Sequence, residues 1–163
     1  MSGDAIELPP LPAEATDPLF KRFYGYWAGR APAGLLPGRQ HIDPLDIPDH
    51  LAGIMLYDVV RAGAAWRFRV RIAGEMPAAI LGANPAGRYI DEFVLAERRR
   101  AVNDALTQVA RDRAAHYWEN PLWTAGREYI RMRRLALPLA RDGRTPDMVI
   151  AYHVRSDLPP PAA

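Results

Sequence analysis

Cysteine is absent from the 163-residue chain. Its absence excludes a disulfide scaffold, a thiolate nucleophile, a zinc–thiolate site and a flavin held as a cysteinyl adduct. Lysine is almost absent as well, because Lys21 is the only one and arginine supplies nearly all of the basic charge. The formal net charge of +2 is small and the arginines are spread along the chain, so we do not expect nucleic-acid binding.

Long apolar runs are also missing, and no stretch approaches the roughly 20 residues that a membrane helix requires. The first residues, MSGDAIELPPLPAEATDP, carry acids where a secretory signal carries basic residues. We therefore expect a cytoplasmic protein that does not enter a membrane. A hydrophobic content of 49% and a charged content of 25% are typical of one globular domain at this length.

Proline and glycine indicate where that domain begins and ends. Residues 1–16 are rich in Pro, Ala and acid and are expected to form a flexible arm. Residues 156–163 contain three successive prolines, so they are expected to form a disordered tail. The single domain is then 17–155, with an N-terminal helix and linker in 17–52 and the core in 53–155.

The clearest strand pattern begins at Trp66, where large apolar residues alternate with arginines through Ile72 and predict a strand buried on one face. The preceding run IMLYDVV, 54–60, is apolar nearly throughout and predicts a strand covered on both faces. Gly63 lies between the two runs and predicts an antiparallel hairpin.

Helical signals surround this hairpin. Asp17 before Pro18 predicts a capped N-terminal helix, Gly82 ends a two-turn helix in EMPAAILG, and a long amphipathic helix begins near Glu97. The segment HIDPLDIPDH is expected to be an extended linker with one turn at 48–51. Three further strands are predicted at 115–123, 129–140 and 148–155. The fold class is thus α+β, a five-stranded antiparallel sheet with helices across one face and an additional N-terminal helix.

Six segments in order carry a more specific likeness. They are YGYWAGR around Trp27, LPGRQHIDPLDIPDHL from Leu36, LYDV ending at Val59, FRVRIAG ending at Gly74, LGANPAGRYIDEF from Leu81 and LALPLARDG ending at Gly143. With this pattern the chain resembles the stand-alone PAS-like family of alphaproteobacteria, formerly a domain of unknown function. The resemblance implies a PAS fold and a signalling role, with no defined enzymatic activity. The positions that match the family's motifs are Trp27, Asp43, Pro44, Asp58, Arg71, Gly74, Gly82, Gly87 and Arg88.

A PAS fold would gather aromatic and apolar side chains around one concave space, which in many PAS proteins binds small apolar or planar ligands. The candidates for lining such a pocket are Phe68, Met76, Ile80, Tyr89, Phe93, Leu106, Trp118, Met132 and Tyr152. The alternative is that these side chains simply fill the core. The cofactor is unknown: the long helix has no histidine to hold haem, while flavin bound without an adduct stays open.

The N-terminal helix carries an aromatic face made of Phe20, Phe23, Tyr24 and Trp27. This face either covers its own sheet or forms a homodimer, and we expect it to do both, as in PAS relatives that associate through an N-terminal helix. We also expect a signalling protein as partner. The output of a sensor without an attached effector has to pass through protein contacts.

No group of residues predicts a catalytic or metal site. His41 and His50 lie among acids of the linker, but interleaved prolines favour turn and capping roles over metal binding. Asp58 lies within an apolar strand and is expected to pair with Arg69 or Arg71. The alternative to a sensor is a small isomerase or hydratase behind a curved sheet, which would need an acid/base dyad from Asp58 or His153.

Overall fold

The computed structural model describes residues 3–121 and 130–156. Five strands form one antiparallel sheet: β1 (Ile54–Ala62), β2 (Ala65–Ala73), β3 (His116–Pro121), β4 (Arg131–Leu139) and β5 (Met148–Arg155). Their order across the sheet is β2-β1-β5-β4-β3. The helices are α1 (Pro18–Gly29), α2 (Glu75–Leu81) and α3 (Ala96–Asp112). The predicted α+β architecture is confirmed. The expected ends of β3 and β4 at 122–123 and 129 lie outside the described residues, as does most of the predicted tail, 157–163.

Alternation along the strands divides the core into two layers. Leu135, Leu137 and Tyr152 point to the outer face, where they pack with the aromatic residues of α1. Ala136 and Ala151 point to the inner face, where α3 supplies apolar residues every three or four positions. The sheet is therefore covered on both faces.

Helix α1 begins where the sequence predicts. The Asp17 carboxylate accepts a hydrogen bond from the Leu19 amide at 2.8 Å, and Pro18 occupies the first turn, where it loses no hydrogen bond. The Trp27 indole N–H donates to the Pro138 carbonyl at 2.9 Å, which holds the helix to β4. Phe20, Phe23 and Trp27 are all buried in the protein's own core. Their burial leaves little of the predicted dimer face free.

The linker between α1 and β1 departs from the expected extended form. It contains three short 3₁₀ turns, at Arg39–His41, Pro44–Asp46 and Leu51–Gly53. The Asp43 carboxylate caps the second turn by accepting from the Leu45 amide, and proline at its first position already has the required φ. Because the linker is rich in Asp-Pro and Pro-Asp steps, local side-chain bonds replace the extended chain.

The residues predicted to form an arm lie against the outer layer. Ile6, Leu8 and Leu11 pack on the cluster beneath α1, and Ala15 is buried within it. The Tyr24 hydroxyl donates to the Pro9 carbonyl at 2.6 Å. In the part of the chain that the structure describes, no helix is long and apolar enough to span a bilayer.

Candidate functional site: the inner cavity

A small cavity lies on the inner face of the sheet, beneath α2. Its volume is about 30 Å³, which leaves room for about two water molecules. The lining residues come from β1, α2, the segment before α3, β4 and β5, and they are Met55, Tyr57, Pro77, Ile80, Leu81, Ile90, Phe93, Val94, Met132 and His153. The wall is therefore apolar apart from one phenol and one imidazole.

The backbone of each element explains this wall. Met55 and Tyr57 are two residues apart on β1, so both face inwards. Helix α2 follows β2 without a loop and ends at Gly82, whose φ of 82° is readily adopted only by glycine. Its apolar face, which contains Ile80, consequently closes the cavity as a lid of about two turns.

Three of the nine predicted pocket residues line the cavity: Ile80, Phe93 and Met132. Phe68 and Leu106 instead fill the neighbouring inner core, with Trp118 packed against them. These three side chains therefore fill the core, which was the alternative to lining a ligand pocket. Met76 is not part of the cavity wall but packs against a small buried cluster that contains Ile80 and Met132.

Tyr89 and Tyr152 lie away from the cavity and correct the expectation. The ring of Tyr89 stacks under the Arg67 guanidinium, whose carbon is 3.7 Å from the ring centroid. Tyr152 is on the outer face, with its ring 5.5 Å from the Phe20 ring and 4.7 Å from the His50 ring. Strand β5 turns alternate side chains to opposite faces, so burying Tyr152 under α1 directs His153 to the inner face.

His153 lines the cavity although it is not among the nine residues predicted to do so. It is buried, and its Nδ1 is 3.1 Å from the Gly53 carbonyl oxygen. Since a carbonyl only accepts, Nδ1 carries the proton and Nε2 is left as an acceptor. Burial, helped by the nearby charge of Arg134, lowers the pKa of His153 to about 3, so the ring is neutral at pH 7.

Tyr57 is the second polar group of the wall. Its hydroxyl donates to the Met55 sulfur at 3.4 Å, a weak acceptor. Burial raises the pKa of Tyr57 to about 12. The phenol therefore stays protonated and offers a hydrogen-bond donor beside the cavity.

Arg134 lies next to these groups and is 1% exposed. One Nη atom donates to His116 Nδ1 at 2.7 Å, and its guanidinium carbon is 4.0 Å from the Trp118 ring centroid. Desolvation lowers the pKa of Arg134 to about 10, and burial together with the arginine's charge lowers the pKa of His116 to about 4. A charged arginine and two neutral histidines thus lie together on the inner face of the sheet, with Arg134 and His153 buried and His116 half-buried.

The residues considered for catalysis and metal binding are not brought together. Asp58 is on the outer face, 2.8 Å from Arg71 Nε and 3.3 Å from Arg69 Nη2, as its predicted ion pairing requires. His153 faces inwards, so the two form no acid/base dyad. In the linker, His50 Nε2 bonds to the Leu19 carbonyl oxygen at 3.0 Å, and no group of three metal-ligand side chains occurs among residues 3–121 and 130–156.

The family-motif positions have structural roles. Trp27, Asp43, Pro44, Asp58 and Arg71 make the contacts described above. A Cβ on Gly74 would lie 2.5 Å from the Ala52 carbonyl oxygen, so any larger residue there forces the backbone to shift. Gly87 has a φ of 88° and donates to the Val70 carbonyl at 2.7 Å, while the Arg88 carbonyl accepts from the Val70 amide at 2.8 Å. These residues shape the frame of the cavity and lie outside its wall.

The five-stranded sheet, with a short helix closing a cavity on its inner face, defines the class as an α+β sensor-type domain. A sequence model of the PAS domain matches residues 16–152, and the chain belongs to this family. The comparison with curated proteins gives no match.

Solved structures also resemble the chain. A domain of a putative light and redox sensing histidine kinase from Haloarcula marismortui is 12% identical with a TM-score of 0.46, and the match covers 68% of this chain and 96% of that one. The Rhodobacter sphaeroides LOV protein is 11% identical with a TM-score of 0.49, covering 83% and 66%. The PAS domain of a LuxR-family transcriptional regulator from Burkholderia thailandensis, in complex with ethanol, is 16% identical with a TM-score of 0.47, covering 72% and 100%.

Proposed function

We propose that the protein is a non-enzymatic, cytoplasmic sensory module in which the inner cavity binds a small molecule and passes the event to a protein partner. The observation that carries this proposal is the cavity itself, a largely apolar space with two buried polar groups on its wall. Apolar walls supply most of the binding free energy, while a few fixed polar groups select the ligand. Family membership supports the sensory role.

The size of the cavity suggests how binding becomes a signal. A volume of about 30 Å³ leaves room for about two water molecules, so a larger ligand has to widen the cavity. Met55 and Met132 are adaptable wall residues, since the unbranched thioether side chain changes rotamer at low cost. Helix α2 is only seven residues long and covers the cavity, so we expect it to move outwards when a ligand enters.

A chain of contacts connects the cavity with the outer face. His153 bonds to the Gly53 carbonyl, at the end of the 3₁₀ turn that begins beside His50. His50 in turn bonds to the Leu19 carbonyl of α1. A ligand that shifts His153 therefore acts on the residues that hold α1, which makes α1 and the adjoining linker the expected output surface.

The homodimer and the signalling partner stay part of the proposal. The aromatic face of α1 is buried, so a second chain has to contact other residues. Large apolar side chains exposed on the outer side include Leu45, which is 83% exposed, and Ile72, which is 44% exposed. Sedimentation equilibrium of the wild-type chain against Leu45→Glu and Ile72→Glu measures whether this surface joins two copies.

Native mass spectrometry tests ligand binding directly. Protein purified from its own host is weighed intact and after denaturation, and the mass difference gives any retained molecule. We expect Ile80→Phe, which fills the cavity, to lose the extra mass, whereas Leu45→Phe, which adds the same ring at the surface, retains it. An extra mass that is retained equally by both variants contradicts binding in the inner cavity.

A further inference from the structure

Arg134 is a buried cation whose charge is not matched in the described part of the chain. The other arginines of β4 have carboxylates: Arg131 pairs with Glu119 at 3.5 Å, and Arg133 pairs with Asp17 at 3.1 Å. Among residues 3–121 and 130–156, no carboxylate lies within ion-pair distance of Arg134. A buried charge without a counterion costs several kcal/mol, so such an arrangement favours uptake of an anion.

The contacts of Arg134 leave one side of the guanidinium unused. One Nη atom is engaged by His116, and one face of the guanidinium by the Trp118 ring. The Nε atom is fully buried and has no acceptor among the described residues. Nε–H is therefore a buried donor without a partner among the described residues, and a carboxylate is the acceptor that an arginine donor bonds most strongly.

The position of Arg134 links it to the cavity. It lies directly opposite His153 in the pairing of β4 with β5, and Met132 precedes it by two residues on the same face. Both of these neighbours line the cavity. The adjacent inward positions of β4 and β5 are Ala136 and Ala151, whose side chains are small.

We propose that the ligand of the inner cavity is a small monocarboxylate with an apolar tail, such as a short fatty acid or an aromatic acid. Its carboxylate pairs with Arg134, and its tail lies among Ile80, Phe93 and Met132. This inference rests on the proposed function and narrows it to one ligand class. One guanidinium neutralises one negative charge, and an apolar wall penalises the second charge of a phosphate ester.

The experiment is a thermal-shift and calorimetric titration of the full chain with sodium butyrate and sodium benzoate. Butyramide and benzamide are the neutral controls of the same shape, and sodium chloride keeps the ionic strength constant. We expect the acids to raise Tm in a saturable manner, and the amides to bind weaker by a factor on the order of ten or more. Equal shifts for each acid and its amide, or for the acids and chloride, overturn the proposal.

Variants test whether Arg134 causes the preference for acids over amides. We expect Arg134→Gln to abolish the preference for acid over amide, and Arg131→Gln, on the exposed face of the same strand, to keep it. If Arg134→Gln fails to fold, the comparison of acid with amide in the wild-type protein still tests whether the ligand needs a carboxylate. A retained native ligand without a carboxylate overturns this inference and leaves the proposed function intact, whereas failure of every compound combined with no retained mass contradicts both.

Discussion

Acidification from pH 7 to pH 5 is expected to destabilise the fold through His153. The imidazole is buried and neutral, with a folded-state pKa of about 3, whereas in the unfolded chain a histidine has a pKa of about 6.5. Because the folded-state pKa is lowered, the unfolded state binds the proton first as the pH falls. The contribution of His153 is present above pH 6.5 and is lost progressively between pH 6.5 and pH 3.

The magnitude follows from the proton balance. Between pH 7 and pH 5 the unfolded histidine becomes almost fully protonated while the folded one does not, which amounts to about 2 kcal/mol in the free energy of unfolding. Other groups titrate over the same range, so a matched variant is needed. His153→Asn removes the titration, and its amide N–H replaces Nδ1–H as the donor to Gly53.

Urea unfolding followed by circular dichroism, at pH 7 and at pH 5, measures the effect. We expect the wild type to lose about 2 kcal/mol more than His153→Asn between the two pH values. Equal losses, within about 0.5 kcal/mol, would show that the histidine titrates normally in the folded protein. That result would refute the buried, neutral imidazole on the cavity wall.

Three further changes test the frame by urea unfolding. Trp27→Phe leaves a buried carbonyl without its donor and should lower the free energy of unfolding by about 1–3 kcal/mol. A loss near zero would show that this hydrogen bond does not stabilise the fold. Gly74→Ala should lower the free energy of unfolding by about 1–3 kcal/mol because its Cβ meets backbone oxygens. Gly25→Ala, in the middle of α1 with open space around the new Cβ, should raise it by about 0.5–1 kcal/mol. Similar effects of the two variants would contradict the crowding at Gly74. A double-mutant cycle of Arg67 with Asp91, joined by two hydrogen bonds of 3.0 and 2.8 Å, should give a coupling of about 0.2–1 kcal/mol, since both side chains are partly exposed, and a coupling of zero would contradict that geometry.

The strands and helices could be predicted because their patterns are local. The alternation from Trp66 to Ile72 depends only on which residues face the core, and Asp17 before Pro18 is a capping signal within one turn. The linker was harder to predict. Its 3₁₀ turns depend on side-chain bonds such as that of Asp43, which compete closely with an extended chain.

The cavity wall could be predicted only in part, because it depends on which face of each strand meets which helix. Tyr152 and His153 are adjacent, and the sequence does not say which of them α1 covers. The same applies to the run RMRR at the start of β4. Arg133 and Arg134 must point to opposite faces, and only the docking of α1 and α3 decides that Arg134 is the one to be buried.

The central claim is that the inner cavity takes up a small molecule, and the methionine methyl groups report on it directly. Met55 and Met132 line the cavity, while Met148 lies in the outer layer and serves as an internal control. Methyl-labelled protein is titrated with the low-molecular-mass fraction of host-cell extract, and the methyl resonances are recorded by NMR. We expect the methyl resonances of Met55 and Met132 to shift and that of Met148 to stay in place; shifts confined to Met148, or none at any of the three, would contradict binding in the inner cavity.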